Sequence, residues 1–195
     1  MKDELRDLLG AGHETTTAGL SWAFSWALGL PDVKARLEAE VRENARDLDR
    51  VAELPYLDGV INEALRLHPP IPIVVRYAAA DVPVGGFTLP AGTIVCPCPY
   101  LAHRDARVFA EPLRFLPERF AGGRPAAHEL FPFGGGSRTC IGLSFAIHEM
   151  AVVMATVLSR VELSRVGPPS GRSRRRSIIL APVDGPRVLA RRRLA

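Results

Sequence analysis

The run Phe133-Gly134-Gly135-Gly136-Ser137-Arg138-Thr139-Cys140-Ile141-Gly142 delivers a cysteine from a glycine-rich loop to the start of a long apolar-periodic segment. At a helix N-terminus the unpaired backbone N–H groups and the positive end of the dipole favour thiolate over thiol, and Arg138 pushes the same way. A thiolate attacks electrophiles or ligates metals, and flanking glycines let a bulky planar group approach the backbone. An isolated cysteine is ordinarily a small buried hydrophobe, so the surrounding letters must decide. A phosphate loop needs GxxxxGK[ST] or a third glycine completing GxGxxG, and Thr139 stands in that place. A Cys-His catalytic pair has no histidine placed beside Cys140 by sequence. Zinc needs about four ligands. Cys96-Pro97-Cys98 lacks a second pair and reads as two strand cysteines.

Three other stretches carry hydroxyl or titratable side chains: Ala11-Gly12-His13-Glu14-Thr15-Thr16, Glu63-Ala64-Leu65-Arg66 and Pro117-Glu118-Arg119-Phe120. Taken singly they are bland. Glu14 reads as a surface carboxylate and Thr15 as a neutral helix residue. An i, i+3 ion pair such as Glu63/Arg66 contributes only about 0.2–0.5 kcal/mol on an exposed helix. His13-Glu14 does not open an HExxH zinc motif, because Thr17 occupies the last position.

In this order the segments resemble the cytochrome P450 family. Residues 133–142 match every specified position of its haem-binding signature FxxGxRxCxG, residues 11–15 resemble its oxygen-activating [AG]GxxT motif, residues 63–66 match ExxR, and residues 117–120 match its meander motif. The resemblance implies a haem b cofactor with Cys140 as proximal thiolate ligand, Phe133 packed near that ligand and Arg138 paired with a propionate. It also implies a close approach of the group at Gly142, Ala11 and Gly12, and a second propionate contact at Arg76. Thr15 is implied as the hydroxyl hydrogen-bonded to bound oxygen, and Glu14 as the acid joining the proton relay to solvent. Glu63, Arg66 and Arg119 are implied to form a buried structural triad. Thiolate ligation favours O–O cleavage. The implied activity is that of a monooxygenase inserting one atom of O2 into an apolar organic substrate, with electrons from a separate ferredoxin or flavin reductase. The resemblance covers the C-terminal half of the family fold, so the expected unit is a single, incomplete domain over residues 1–195, with the N-terminal half absent. The alternative is a truncated or split fragment without turnover of its own, which needs a complementary N-terminal chain.

The elements that must position these residues are mainly helical, with small antiparallel sheets. Leu5, Leu8, Leu9, Leu20, Ala23, Phe24, Ala27 and Leu28 recur at helical spacing and predict a helix over the first thirty residues, closed by Gly29 and Pro31. Gly10, Gly12 and Thr15 to Thr17 weaken its middle, and a displaced backbone hydrogen bond there would open a groove. A charged helix capped by Asp32 runs to about Arg46, and another runs from about Leu57 to Leu67, where Pro69 and Pro70 stop it; both are expected to be partly exposed. Residues 71–98 predict short strands and turns, and residues 103–124 a loop-rich meander with a short helix near Asp105 to Phe109. Loops this long are usually functional or held by specific contacts. Leu143, Ile147, Met150, Met154, Val157 and Val161 predict a buried helix with His148, Glu149 and Arg160 off its apolar stripe. Ser177 to Leu180 and Arg187 to Leu189 predict a hairpin around Asp184-Gly185-Pro186. His68, His103, His128 and His148 read as helix end, loop, loop and exposed helix face.

Composition bounds the rest. With 195 residues, 47% hydrophobic and 24% charged, the chain is globular in character and long enough for one core. The longest apolar-rich stretch, about Ala18 to Leu30, falls short of the roughly 20 residues a membrane span needs, and no signal peptide or anchor is expected. Three cysteines make no disulfide scaffold and fit a reducing, cytoplasmic setting. The net charge of +4 is uneven, since residues 160–195 carry +8. No aromatic interleaving or recognition helix accompanies these arginines, so nucleic-acid binding is not expected, while an acidic electron donor is a possible partner.

Overall fold

The computed structural model describes residues 2–44, 48–168 and 171–194. Its longest element, α1 (Lys2–Gly29), is one continuous helix with Asp3 and Glu4 in its first turn, where carboxylates suit the dipole. Residues 2–14 are exposed, and from Thr16 onward one face is buried through Ala18, Gly19, Trp22, Ala23 and Ala27. The weak middle does not break the helix. Instead the Thr15 hydroxyl donates to the Ala11 carbonyl (2.6 Å) and the Thr17 hydroxyl to that of His13 (2.7 Å), the i−4 back-bonding open to a mid-helix threonine.

Pro31 starts α2 (Pro31–Asn44), so Asp32 lies inside the first turn and is not the cap expected of it. The expected helix end at Arg46 lies outside the described residues. Val33, Leu37 and Val41, four apart, turn its buried stripe inward. α3 (Pro55–Leu67) has proline at its start and no capping side chain of its own. Glu40 of α2 supplies the cap, its carboxylate accepting the Tyr56 (2.9 Å) and Leu57 (2.8 Å) N–H groups. The expectation that α2 and α3 are both partly exposed fails for α3: every residue from Gly59 to Leu67 is buried, polar ones included. A helix enclosed on all sides has α1, α2, a 3-10 turn at Pro117–Phe120 and the last helix around it. Gly59 allows the close approach of that turn, because a Cβ there would stand 2.8 Å from the Pro117 carbonyl oxygen.

Residues 71–98 form two short ladders and no single sheet: β1 (Arg76–Tyr77) pairs with β4 (Ile94–Val95), and β2 (Val82–Val84) with β3 (Phe87–Leu89). Cys96 and Cys98 follow β4 outside any strand, correcting the strand reading, and Cys98 Sγ lies 3.3 Å from the Pro72 carbonyl oxygen. The short helix of this region is α4 (Pro99–Ala102), earlier than expected. Asp105 to Phe109 is a turn, because the Asp105 carboxylate takes the Arg107 N–H and holds the backbone locally.

α5 (Leu143–Arg160) buries Met150 and Met154 of the expected stripe but leaves Leu143, Ile147 and Val157 half-buried, Leu158 is the buried residue of the last turn, and Val161 already belongs to the next strand. It is long and apolar enough by composition to cross a membrane, with a mean hydropathy of 1.3, but its second half is core. Gly19 of α1 meets α5 closely, its Cβ position falling 3.2 Å from the Met150 sulfur. At the chain's end β5 (Val161–Arg165), β6 (Ser173–Arg176), β7 (Ile179–Pro182) and β8 (Val188–Arg193) correct the expected hairpin. β6 pairs with β7 across a turn at Ser177 (φ 54°), and β8 returns to β5. The Asp184-Gly185-Pro186 bend therefore connects two ladders.

His68, at the C-terminal cap of α3, is buried and stacks on Trp22 with ring centroids 3.6 Å apart and planes 7° from parallel. Burial, then the charges of Arg104 and Arg66, push its pKa down to about 3, and burial pushes that of His103 down to about 4. Both rings stay neutral when folded, whereas in the unfolded chain they protonate near pH 6.5. Stability is thus full above about pH 6.5 and falls as the pH drops toward 4, by about 1.4 kcal/mol per pH unit for each histidine. A urea-midpoint series from pH 7.5 to 4.5 checks this, with His68→Phe flattening the slope.

Candidate functional site

Glu63 and Arg66 are each 0% exposed. Arg66 lies one turn after Glu63 on α3, and the two side chains pair through two parallel bonds, Nε to Oε2 (2.7 Å) and Nη2 to Oε1 (2.9 Å). The remaining guanidinium N–H groups reach across the fold. Nη1 donates to the carbonyls of His103 (2.6 Å) and Pro112 (2.9 Å), and Nη2 to that of Arg114 (3.2 Å). All five donors of the guanidinium are thereby used. Glu63 Oε1 also accepts the Leu116 N–H (2.8 Å) and Arg119 Nε–H (3.0 Å), and Arg119 Nη2 donates to the Ala110 carbonyl. The three charged side chains that resemblance grouped are therefore in contact, and they hold the otherwise irregular segment 103–119 by its backbone.

The same segment caps α3. Its last carbonyls have no partner within the helix, and they are taken by His103 Nδ1 on the Arg66 carbonyl (3.2 Å) and by the Arg104 guanidinium on that of Leu67. Sequence reading left His103 as a plain loop residue, yet it is fully buried, with Nε2 accepting the Phe131 N–H at 2.9 Å. The expectation that a long loop is held by specific contacts was the available signal, because the partners lie 37 and 28 residues away.

From Phe131 the chain enters the cysteine loop. The Phe131 carbonyl accepts the Gly134 N–H (3.0 Å), and the Phe133 carbonyl accepts the Cys140 N–H (2.9 Å), closing the glycine-rich run on itself. Gly134 (φ 73°) and Gly136 (φ 68°) sit in the left-handed region that the turn requires. The Phe133 ring packs against the core. Cys140 is exposed with an unpaired thiol, two residues ahead of the Gly142 cap of α5, and Arg138 is exposed beside it. Around the thiol the apolar surface is open: Ile141 is 91% and Phe145 73% exposed.

Thr15 lies one turn before Gly19, on the α1 face that meets α5. Ala11, Gly12 and Glu14 are exposed, and Thr15 is half-buried. Glu14 faces another way, lining with His13, Ser21, Arg174, Arg176 and Asp184 a cavity of about 420 Å³ between α1 and the β6–β7 ladder. Arg76 is half-buried on β1, and its guanidinium donates to the Val75 carbonyl (3.0 Å). His148 is exposed on its helix, as read, and His128, read as a loop residue, is also exposed.

These residues fit a haem: an exposed thiol on a pinned loop, an adjacent cation, and apolar surface beside the sulfur. The family described as Cytochrome P450 matches residues 1–184. Putative cytochrome P450 137 of Mycobacterium tuberculosis is 38% identical over 188 residues, 96% of this chain and 38% of its own. Putative cytochrome P450 135B1 and putative cytochrome P450 138 of Mycobacterium bovis are 38% and 39% identical, each over 98% of this chain and over 40% and 42% of their own. The chain belongs to the cytochrome P450 family and spans about two fifths of the length of these curated relatives.

Glu63→Gln keeps the shape of the buried pair and removes its negative charge, leaving two guanidinium groups facing each other. A loss of about 3–5 kcal/mol in urea unfolding is expected. A loss below 1 kcal/mol would mean that the pair is solvated.

Proposed function

We propose that this member of the cytochrome P450 family holds haem b on the Cys140 thiolate and serves as a monooxygenase on an apolar organic substrate. The carrying observation is the exposed Cys140 on a loop whose foot is tied to the buried Glu63–Arg66 pair. α1 is read as the distal helix, α3 as the ExxR helix, residues 103–120 as the meander and α5 as the proximal helix. Arg138 and Arg76 hold the propionates, Phe133 packs beside the ligand, and Ala11, Gly12 and Gly142 leave room for the macrocycle. When bound, the haem supplies redox chemistry in which two electrons and two protons reduce O2, one oxygen atom entering the substrate and the other leaving as water. Separate electron donors, a ferredoxin or flavin reductase, supply those electrons, and the cytoplasm suits the three free thiols.

The protein's own part is ligation, orientation and proton delivery. Thr15 Oγ1 donates to the Ala11 carbonyl, which leaves its lone pairs free to accept a hydrogen bond from a group bound above the helix. Glu14, exposed on the neighbouring face, exchanges protons with solvent. A second reading, that turnover needs a complementary polypeptide, is favoured by residues 2–14 of α1, where Leu5, Leu8 and Leu9 stand exposed.

The reduced, carbon monoxide-bound difference spectrum of the haem-reconstituted chain tests ligation. A red-shifted thiolate-type Soret band is expected in the parent chain and lost in Cys140→Ser; an unchanged band in that variant would remove Cys140 from the iron. Thr15→Ala is expected to keep the band and to raise peroxide release per O2 consumed several-fold, measured with a surrogate reductase and, if required, the complementary part of the fold.

A further inference from the structure

Among the buried groups, His103 stands where three structures meet. Its backbone carbonyl accepts Arg66 Nη1 (2.6 Å), its Nδ1 lies 3.2 Å from the Arg66 carbonyl, and its Nε2 accepts the Phe131 N–H (2.9 Å). An N–H donated to Nε2 requires a lone pair there, so the ring is neutral and carries its proton on Nδ1, where a carbonyl receives it. One tautomer in one orientation meets both partners, and turning the ring over would forfeit both bonds. The rings of Phe109 and Phe131 stand edge-on to it, with centroids 6.5 and 5.2 Å away, and resist that turn.

The far end of this bridge is the cysteine loop. Phe131 receives His103 through its N–H and holds Gly134 through its carbonyl, and two residues later the Phe133 carbonyl holds the Cys140 N–H. α3 therefore reaches the Cys140 backbone through one imidazole and three hydrogen bonds, Nδ1 to the Arg66 carbonyl, the Phe131 N–H to Nε2, and the Cys140 N–H to the Phe133 carbonyl. We infer that His103 is a positioning residue for Cys140, transmitting the rigidity of the buried Glu63–Arg66 pair to the cysteine loop; its functional value rests on the proposed ligation, but its mechanical role does not. Arg104, its neighbour, occupies the Leu67 carbonyl and does not reach the loop.

Two measurements on the chain without haem test this. In the parent protein at pH 7, nitrogen NMR is expected to find His103 protonated at Nδ1 with a scalar coupling between Nε2 and the Phe131 amide nitrogen; a ring protonated at Nε2 overturns the inference even if every variant fails to fold. Residue-resolved amide exchange then compares the parent, His103→Leu and His103→Gln. Leucine is expected to speed exchange at Phe131, Gly134 and Cys140 at least tenfold and to leave Met150 to Leu158 unchanged, whereas glutamine, whose side-chain oxygen can accept the Phe131 N–H, restores most of the protection. Parent-like loop exchange in the leucine variant, equal loosening of Met150 to Leu158, or failure of glutamine to rescue would each defeat it. None of these readings involves haem, so a missing Soret band would count against the ligation and leave them standing.

Discussion

A guanidinium with five N–H donors cannot be buried unless all are accepted, and Arg66 meets that demand with one carboxylate and three backbone carbonyls. The carbonyls belong to His103, Pro112 and Arg114, residues of a segment with little regular structure of its own. Satisfying one side chain therefore fixes the path of a loop. A hydrophobic replacement of similar volume could stabilise the interior equally well, but it would offer nothing for three carbonyls to find. Here the ionic pair supplies geometry more than free energy.

Other contacts extend that geometry outward. Glu118 accepts from Arg36 Nη1 (3.1 Å) and the Tyr56 hydroxyl (3.2 Å), which fastens the 3-10 turn at Pro117–Phe120 to both α2 and α3. Gly59 lets that turn lie directly on α3. Past the turn, the chain proceeds to Phe131 and the cysteine loop, whose Cys140 end stays exposed while its foot is anchored. A site that must present a thiol at a defined place needs this combination, since a loop free at its foot would offer the sulfur over a range of positions.

α1 shows the opposite gradient. Its second half is fixed by Gly19 against Met150 and by Trp22 stacked on His68, whereas its first half is exposed with leucines on its surface. Thr15 falls at the transition, so its hydroxyl is supported from below by packed helix and open above. That open face, and the exposed Ile141 and Phe145 near the cysteine, leave apolar surface without a partner among the described residues.

Much of this was legible in the letters, and the division follows from range. Gly29, Pro31, Pro69 and Pro70 act on φ and on backbone donors within a turn, so the helix ends at 29 and 67 could be read locally, as could the apolar stripe of α5. Family resemblance supplied Cys140 and the grouping of Glu63, Arg66 and Arg119, which no spacing argument could bring together across 56 residues. Only the tertiary structure decided that α3 is enclosed on all sides, that β8 pairs with β5 and not with its sequence neighbour, and that His103 is a bridge. For the last two the partners are backbone carbonyls and N–H groups, which nearly every residue carries alike, so sequence names the segment or side chain that seeks a partner and folding alone selects which peptide group it meets.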